Sequence, residues 1–301
     1  MIYLLPILTV FIWGMNAIAS KMAASIIEPS AMSFYRWLFA IAILTPFCLP
    51  QVIKRWGEIR PHLAKLASLG LLGMVINQSC GYYAALTTTA SNMSLISALV
   101  PLMSVFLSVP FLGKRISFNS ILGGIIALIG LAYMLGKGDM LFFLSQSITP
   151  GDGLMVIASL AYALYCVLIK RWKMHLPNTV LIYMQGFCAM LMLAPVWLTS
   201  EQLLPPVDAM PIILFASIAA SIAAPWMWIK SIDVIGADNS AMFMNLLPVV
   251  AVTLAATLLG ETVHLYHLVG GIMVISGVIL AQIKRKKKDD IEPGLLNKDP
   301  A

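Results

Sequence analysis

The run from Asn92 to Gly130, NMSLISALVPLMSVFLSVPFLGKRISFNSILGGIIALIG, returns 147 residues later, from Asn239 to Gly277, as NSAMFMNLLPVVAVTLAATLLGETVHLYHLVGGIMVISG. Without a gap, 11 of 39 positions are identical, five of them residues that set backbone shape: Pro101/Pro248, Gly113/Gly260, Gly123/Gly270, Gly124/Gly271 and Gly130/Gly277. Two apolar stretches with the same breakers at the same spacing are an internal duplication, which restricts the chain to folds built from two copies of one unit. Earlier residues align at an offset of 149, with Trp13 opposite Tyr162, Asn16 opposite Tyr165, Lys21 opposite Lys170 and Arg36 opposite Gln185.

Composition decides what solvent these units meet. Hydrophobic residues make up 60% of the 301 and charged residues 11%, where soluble domains carry about a quarter charged. With a mean hydropathy of +0.91, the chain is expected to be an all-α integral membrane protein. A span needs about 20 apolar residues. The sequence offers ten, near 2–20, 30–50, 65–86, 90–112, 118–136, 151–169, 178–199, 210–229, 237–259 and 264–282. The expected organisation is a first five-helix repeat over 1–136, a connection over 137–150, a second repeat over 151–283 and a basic, disordered cytoplasmic tail over 284–301. No cleavable leader is apparent ahead of the first span. Cys48, Cys80, Cys166 and Cys188 all fall inside apolar segments, so they read as small hydrophobes and not as a disulfide or metal framework.

The net charge of +6 is a topology signal in such a chain. With both termini cytoplasmic, 16 of the 19 cations fall on the inside, including the run Lys284 to Lys288, and only Lys21 and Lys137 outside. That imbalance fits the rule that short cytoplasmic loops collect Lys and Arg. Five spans per unit then make the two repeats inverted, a construction typical of secondary transporters with a midplane substrate site.

The motifs resemble a known family. WGMNAIASK, FYRWLFA around Arg36, the Pro101 helix ending in FLGKR, and GGIIALIG are similar to the first EamA repeat of the drug/metabolite transporter superfamily. GDGLMVIASLAYALYCVLIKR, NLLPVVAVTLAATLLGE and HLVGGIMVISGVIL resemble the second, so the likeness runs from residue 1 to about 283. One departure is plain: the glycine-glutamate that closes the ninth span as Gly260-Glu261 is Gly113-Lys114 in the fourth. The resemblance implies a transporter, not an enzyme, exporting amino acids or related small metabolites across the cytoplasmic membrane of a bacterium by alternating access. Its expected partners are a small-molecule substrate and membrane lipids, not nucleic acid, as a monomer or homodimer and without a cofactor. Uptake of a scavenged nucleoside derivative, vitamin or amino acid is the alternative within transport. A non-transporting scaffold or a lipid-interface enzyme is the alternative outside it.

Arg36 is the basic residue well inside a span, and an intramembrane charge is a functional candidate by default. Its fork suits a substrate carboxylate or phosphate. The competing reading has it capping helix carbonyls, stacking on Trp37 or pairing with Glu28. The third span brings Asn77, Gln78, Tyr82 and Tyr83, and the eighth brings Trp226 and Trp228. Trp13, Asn16, Tyr162, Tyr165, Gln185, Met242 and Asn245 complete the candidate substrate-binding set. Amides among aromatic rings suit a small amphipathic ligand; the same groups also serve simply to tie helices together. Pro101 and Pro248, mid-span at symmetric positions, read as hinges or as passive kinks. The paired glycines read as close-packing positions of the fifth and tenth spans. No acid sits at mid-membrane and no metal-ligand or Walker-type pattern stands out, so ATP drive is not expected; coupling is left to Glu261 or Asp152, or the protein is a facilitator.

Overall fold

The computed structural model describes residues 3–113, 116–139, 148–201, 203–235, 240 and 243–282. Among these it is all helix. Nine helices are long and apolar enough to cross a membrane: α1 (Leu4–Ala23), α2 (Pro29–Lys54), α3 (Trp56–Ala84), α4 (Ala90–Leu112), α5 (Phe118–Leu135), α6 (Pro150–Trp172), α7 (Asn178–Trp197), α8 (Val207–Ile232) and, closing the chain, α10 (Leu265–Gln282). Between the last two lies a shorter apolar helix, α9 (Leu247–Leu258). The ten-span expectation is met as nine long helices and one short one. Residues 237–239, 241 and 242 of the expected ninth span lie outside the described residues, as does the expected tail over 284–301.

Local chemistry places the ends. Thr89 and Ser117 accept from the backbone N–H groups of Asn92 and Ser120, starting α4 and α5. Thr149 and Asp152 form a reciprocal capping box ahead of α6, with Pro150 in the first turn. Gly113 at the end of α4 has φ of 65° and Gly260 after α9 has φ of 67°, left-handed conformations that glycine adopts freely. The two prolines of the repeat act alike. In α4 the helix stops at Ser97 and resumes at Val100, because Pro101 has no N–H for the Ser97 carbonyl. A turn at 245–246 precedes α9, with Pro248 as its second residue.

Packing is closest where side chains are missing. On α5, a methyl at Gly123 would strike the Gly277 carbonyl, and one at Gly277 would meet the Gly123 carbonyl at 2.5 Å. Further along, Gly130 and Gly270 approach each other's carbonyls in the same reciprocal way, at 2.8 and 2.6 Å from the would-be methyls. The helices α5 and α10 therefore run antiparallel in near backbone contact within one chain, which hydrocarbon solvent rewards through dispersion and not through apolar burial. Between α2 and α7, the Trp37 ring lies against Gly186, two positions that stand at the 149-residue offset of the repeat.

The outer surface is apolar. Leu128 is 57% and Ile272 66% exposed on the far faces of α5 and α10, an arrangement stable against lipid and not against water.

Candidate functional site

Arg36 lies in the second turn of α2 and is 5% exposed. Its Nε donates to Ser221 Oγ on α8 at 2.8 Å. Its Nη1 donates to Asn16 Oδ1 on α1 at 3.1 Å and to the Tyr82 hydroxyl on α3 at 2.9 Å. Four helices thus converge on one guanidinium. None of its partners is an acid: no carboxylate of a described residue is within ion-pair distance, and Glu28 instead accepts weakly from Ser30 at 3.4 Å. The pairing with Glu28 and the stacking on Trp37 are not what holds Arg36. Neutral acceptors take the Nε and Nη1 donors but leave the charge uncompensated in a setting where a lone charge is costly.

Ser221 was not among the sequence candidates, and its position depends on an irregularity. Residues Phe215–Ala223 of α8 are wound as π-helix, and Ser221 Oγ reaches back to Ala216 O, five residues earlier, at 2.8 Å. The wide register continues to Ala224, whose N–H bonds Ala219 O. Pro225 comes next and has no N–H to give Ala220 O. The indole N–H of Trp13, from α1, donates to that carbonyl at 3.3 Å, and the Trp13 ring meets Trp228 at 5.7 Å. The available signal was Pro225 in a span rich in serine: a missing donor forces either a kink or a change of winding. A matching π-helical turn, Leu71–Ile76, lies in α3.

The remaining third-span candidates separate into ties. Gln78 Oε1 accepts from Trp37 Nε1 at 3.0 Å, and Asn77 Nδ2 donates to Ala158 O on α6 at 2.9 Å. Tyr162 and Tyr165 stack with centroids 5.4 Å apart, and Tyr165 packs on Gly73, where a methyl would come within 2.8 Å of the ring. Gln185, at 1% exposure, makes no hydrogen bond to a described residue, and its Oε1 is fully buried.

The structure does not bring every candidate to this group. Tyr83 is 40% exposed on the outer side of α3, and Trp226 is 58% exposed. Trp226 borders a largely apolar cleft of about 400 Å³ between α2, α7 and α8, with Leu44, Ile182 and Ile222 among its walls. Asn245 is half-buried at the turn before α9. Met242 lies outside the described residues. Pro101 and Pro248 mark helix interruptions, away from the Arg36 group in sequence.

The comparisons with known proteins complete this picture. The family described as EamA-like transporter family matches residues 1–136 and again 149–282. The chain belongs to the EamA-like transporter family. Among EamA relatives, an uncharacterized transporter of Archaeoglobus fulgidus is 26% identical, with 94% of this chain and 98% of the relative covered. An uncharacterized transporter of Bacillus subtilis, YyaM, is 24% identical over 87% of both chains. A WAT1-related protein of Arabidopsis thaliana is 22% identical, covering 93% of this chain and 77% of its own. One crystal structure superposes with a TM-score of 0.63 at 17% identity, over 93% of this chain and 96% of the other, which is a likeness of fold. This EamA protein is a multi-pass membrane protein of a transporter family, a description that accounts for the apolar exterior and the polar groups gathered within.

Proposed function

We propose that the chain is a secondary transporter that moves amino acids or related small organic anions out of the cell across the cytoplasmic membrane, by alternating access between two inverted repeats. The observation that carries this reading is Arg36: a buried guanidinium held by an amide and two hydroxyls, with no acid among the described residues to neutralise it. A substrate carboxylate supplies the missing charge, and it can do so by replacing Tyr82 or Asn16 at Nη1 without burying a further uncompensated group. The stacked Tyr162 and Tyr165 offer apolar surface suited to the rest of a small amphipathic molecule.

Support for the inverted arrangement comes from paired contacts. Gly123 meets Gly277 while Gly130 meets Gly270, and the repeat equates Gly123 with Gly270 and Gly130 with Gly277. The same contact is therefore made twice with its roles exchanged, as a two-fold axis across antiparallel helices requires. The cation imbalance supports cytoplasmic termini.

The test is flux in liposomes containing the purified protein, with a panel of amino acids set against nucleoside-like and vitamin-like solutes, with and without a proton gradient. Saturable amino-acid flux that Arg36→Ala abolishes, in a protein that still folds, is the expected result. Flux unaffected by Arg36→Ala removes the residue from the substrate path, and flux of only the other solutes overturns the substrate class. Reversing the imposed gradient reads direction.

A further inference from the structure

One end of the bundle is held by three charged side chains that do not pair with one another. They grip the turn joining α3 to α4. Lys21 Nζ, from the last turn of α1, donates to Ala85 O and Thr88 O, each at 2.7 Å. Asp152, 2% exposed at the start of α6, accepts from Thr88 Oγ1 and from Asn92 Nδ2 at 3.3 Å. Glu261, between α9 and α10, accepts from the N–H groups of Ala90 and Ser91 at 2.8 and 3.1 Å and from Ser91 Oγ at 2.7 Å. Thr89 caps the N–H of Asn92 and leaves those of Ala90 and Ser91 without an acceptor of their own helix. Glu261 supplies that acceptor from the other half of the chain, 170 residues beyond Ser91.

The same turn is wired to the candidate site. Tyr82, which bonds Arg36, lies three residues ahead of Ala85, within one helical turn. A displacement of the turn therefore moves the tyrosine off the guanidinium, and an anion that takes Tyr82's place on Arg36 loosens the turn. The first repeat cannot build the equivalent cap, because Lys114 stands where the second has Glu261 and an ammonium has no acceptor.

We propose that the α3–α4 turn is the gate at this end of the bundle, that Lys21, Asp152 and Glu261 are the positioning residues that lock it, and that its release opens the Arg36 site to that side. This rests on the alternating-access reading above. Both carboxylates sit at helix N-termini, where their charge favours the closed arrangement. Each bond is a charge-assisted one to backbone, hydroxyl or side-chain amide, replaceable by water once the turn lifts.

The experiment follows thiol reactivity, which needs no substrate. Cys80 on α3, five residues before Ala85, is kept, and Cys48, Cys166 and Cys188 are changed to Ala. The protein is placed in liposomes in a known orientation and treated from either side with a charged, membrane-impermeant methanethiosulfonate. Slow labelling from the side of the turn is expected, rising at least five-fold in Glu261→Gln and, separately, in Lys21→Met, with no rise from the opposite side. Unchanged rates in both folded variants overturn the proposal, and so does an equal rise from both sides, which is what general loosening produces. Fast labelling of the unaltered chain from the turn side overturns it as well. Glu261→Asp is expected to recover most of the slow rate. A transporter with no amino-acid flux but with this one-sided response keeps the gate and loses the substrate assignment.

Discussion

Trp13 donates its indole N–H to Ala220 O, the carbonyl that Pro225 leaves without a backbone donor. A proline in one helix is thus answered by a tryptophan in another, and α1 is fastened to α8 beside the residues that hold Arg36. Trp13→Phe keeps most of the ring contact with Trp228 and removes the donor. A loss of about 1–3 kcal/mol in unfolding free energy is expected, the usual cost of an orphaned buried acceptor. The check is a cycle with Pro225→Ala, measured by thermal unfolding in detergent. Restoring a backbone N–H at residue 225 makes the second loss of Trp13 nearly silent.

At the guanidinium, Arg36→Lys preserves the charge and discards the fork. Three acceptors on three helices cannot be reached by one ammonium in the same geometry. Apparent substrate affinity is expected to fall by roughly ten- to a hundred-fold, the equivalent of about 1.5–3 kcal/mol for bonds to a charged group. Ser221→Ala removes one acceptor and should lie between wild type and Arg36→Lys in a concentration-dependent flux assay. Equal behaviour of Ser221→Ala and wild type would show that the π-helical turn is not what positions the arginine.

Gln185 is expected to be a stability liability. Its side-chain Oε1 is buried and unbonded, so Gln185→Met, close in volume, should raise the thermal midpoint by removing a desolvation cost of about 1–3 kcal/mol. If flux falls in that more stable protein, the amide is kept for transport. If flux is unchanged, the glutamine is a relic of the duplication that set it opposite Arg36.

Glycines give the last contrast. Gly130→Ala should destabilise by about 1–3 kcal/mol, since the added methyl would meet Met273 Cβ at 2.5 Å and the Gly270 carbonyl at 2.8 Å. Gly81→Ala, with nothing within 4 Å, should be neutral or slightly stabilising in the helical part of α3. Unfolding midpoints of the two variants side by side decide the matter.

The helical spans could be read from the sequence because apolar length and paired breakers report directly on lipid and on winding. Arg36, Asn16 and Tyr82 were also legible, as polar groups that hydrocarbon cannot host alone. Ser221 was not. Its hydroxyl reaches Arg36 only because α8 is wound wide around Phe215–Ala223, and no periodicity rule placed that turn. The sorting of the third span was equally hidden. Asn77, Gln78 and Tyr82 all looked alike as candidates, yet one ties α6, one holds Trp37 and one meets the guanidinium. Such choices depend on which helix stands opposite, which a single sequence does not record. Glu261 shows the converse: the glycine-glutamate pair marked the residue, and the helix start it caps lies in the other repeat.

The seam between α5 and α10 has a bearing on how such a chain could have come about. Each half carries a bare glycine groove that fits a copy of itself lying the other way up. A half-length ancestor would have found its mate among its own kind, provided that some molecules entered the membrane inverted. Joined end to end, the two halves meet within one chain, and single positions need not be kept in both, as Lys114 against Glu261 and Gln185 against Arg36 illustrate.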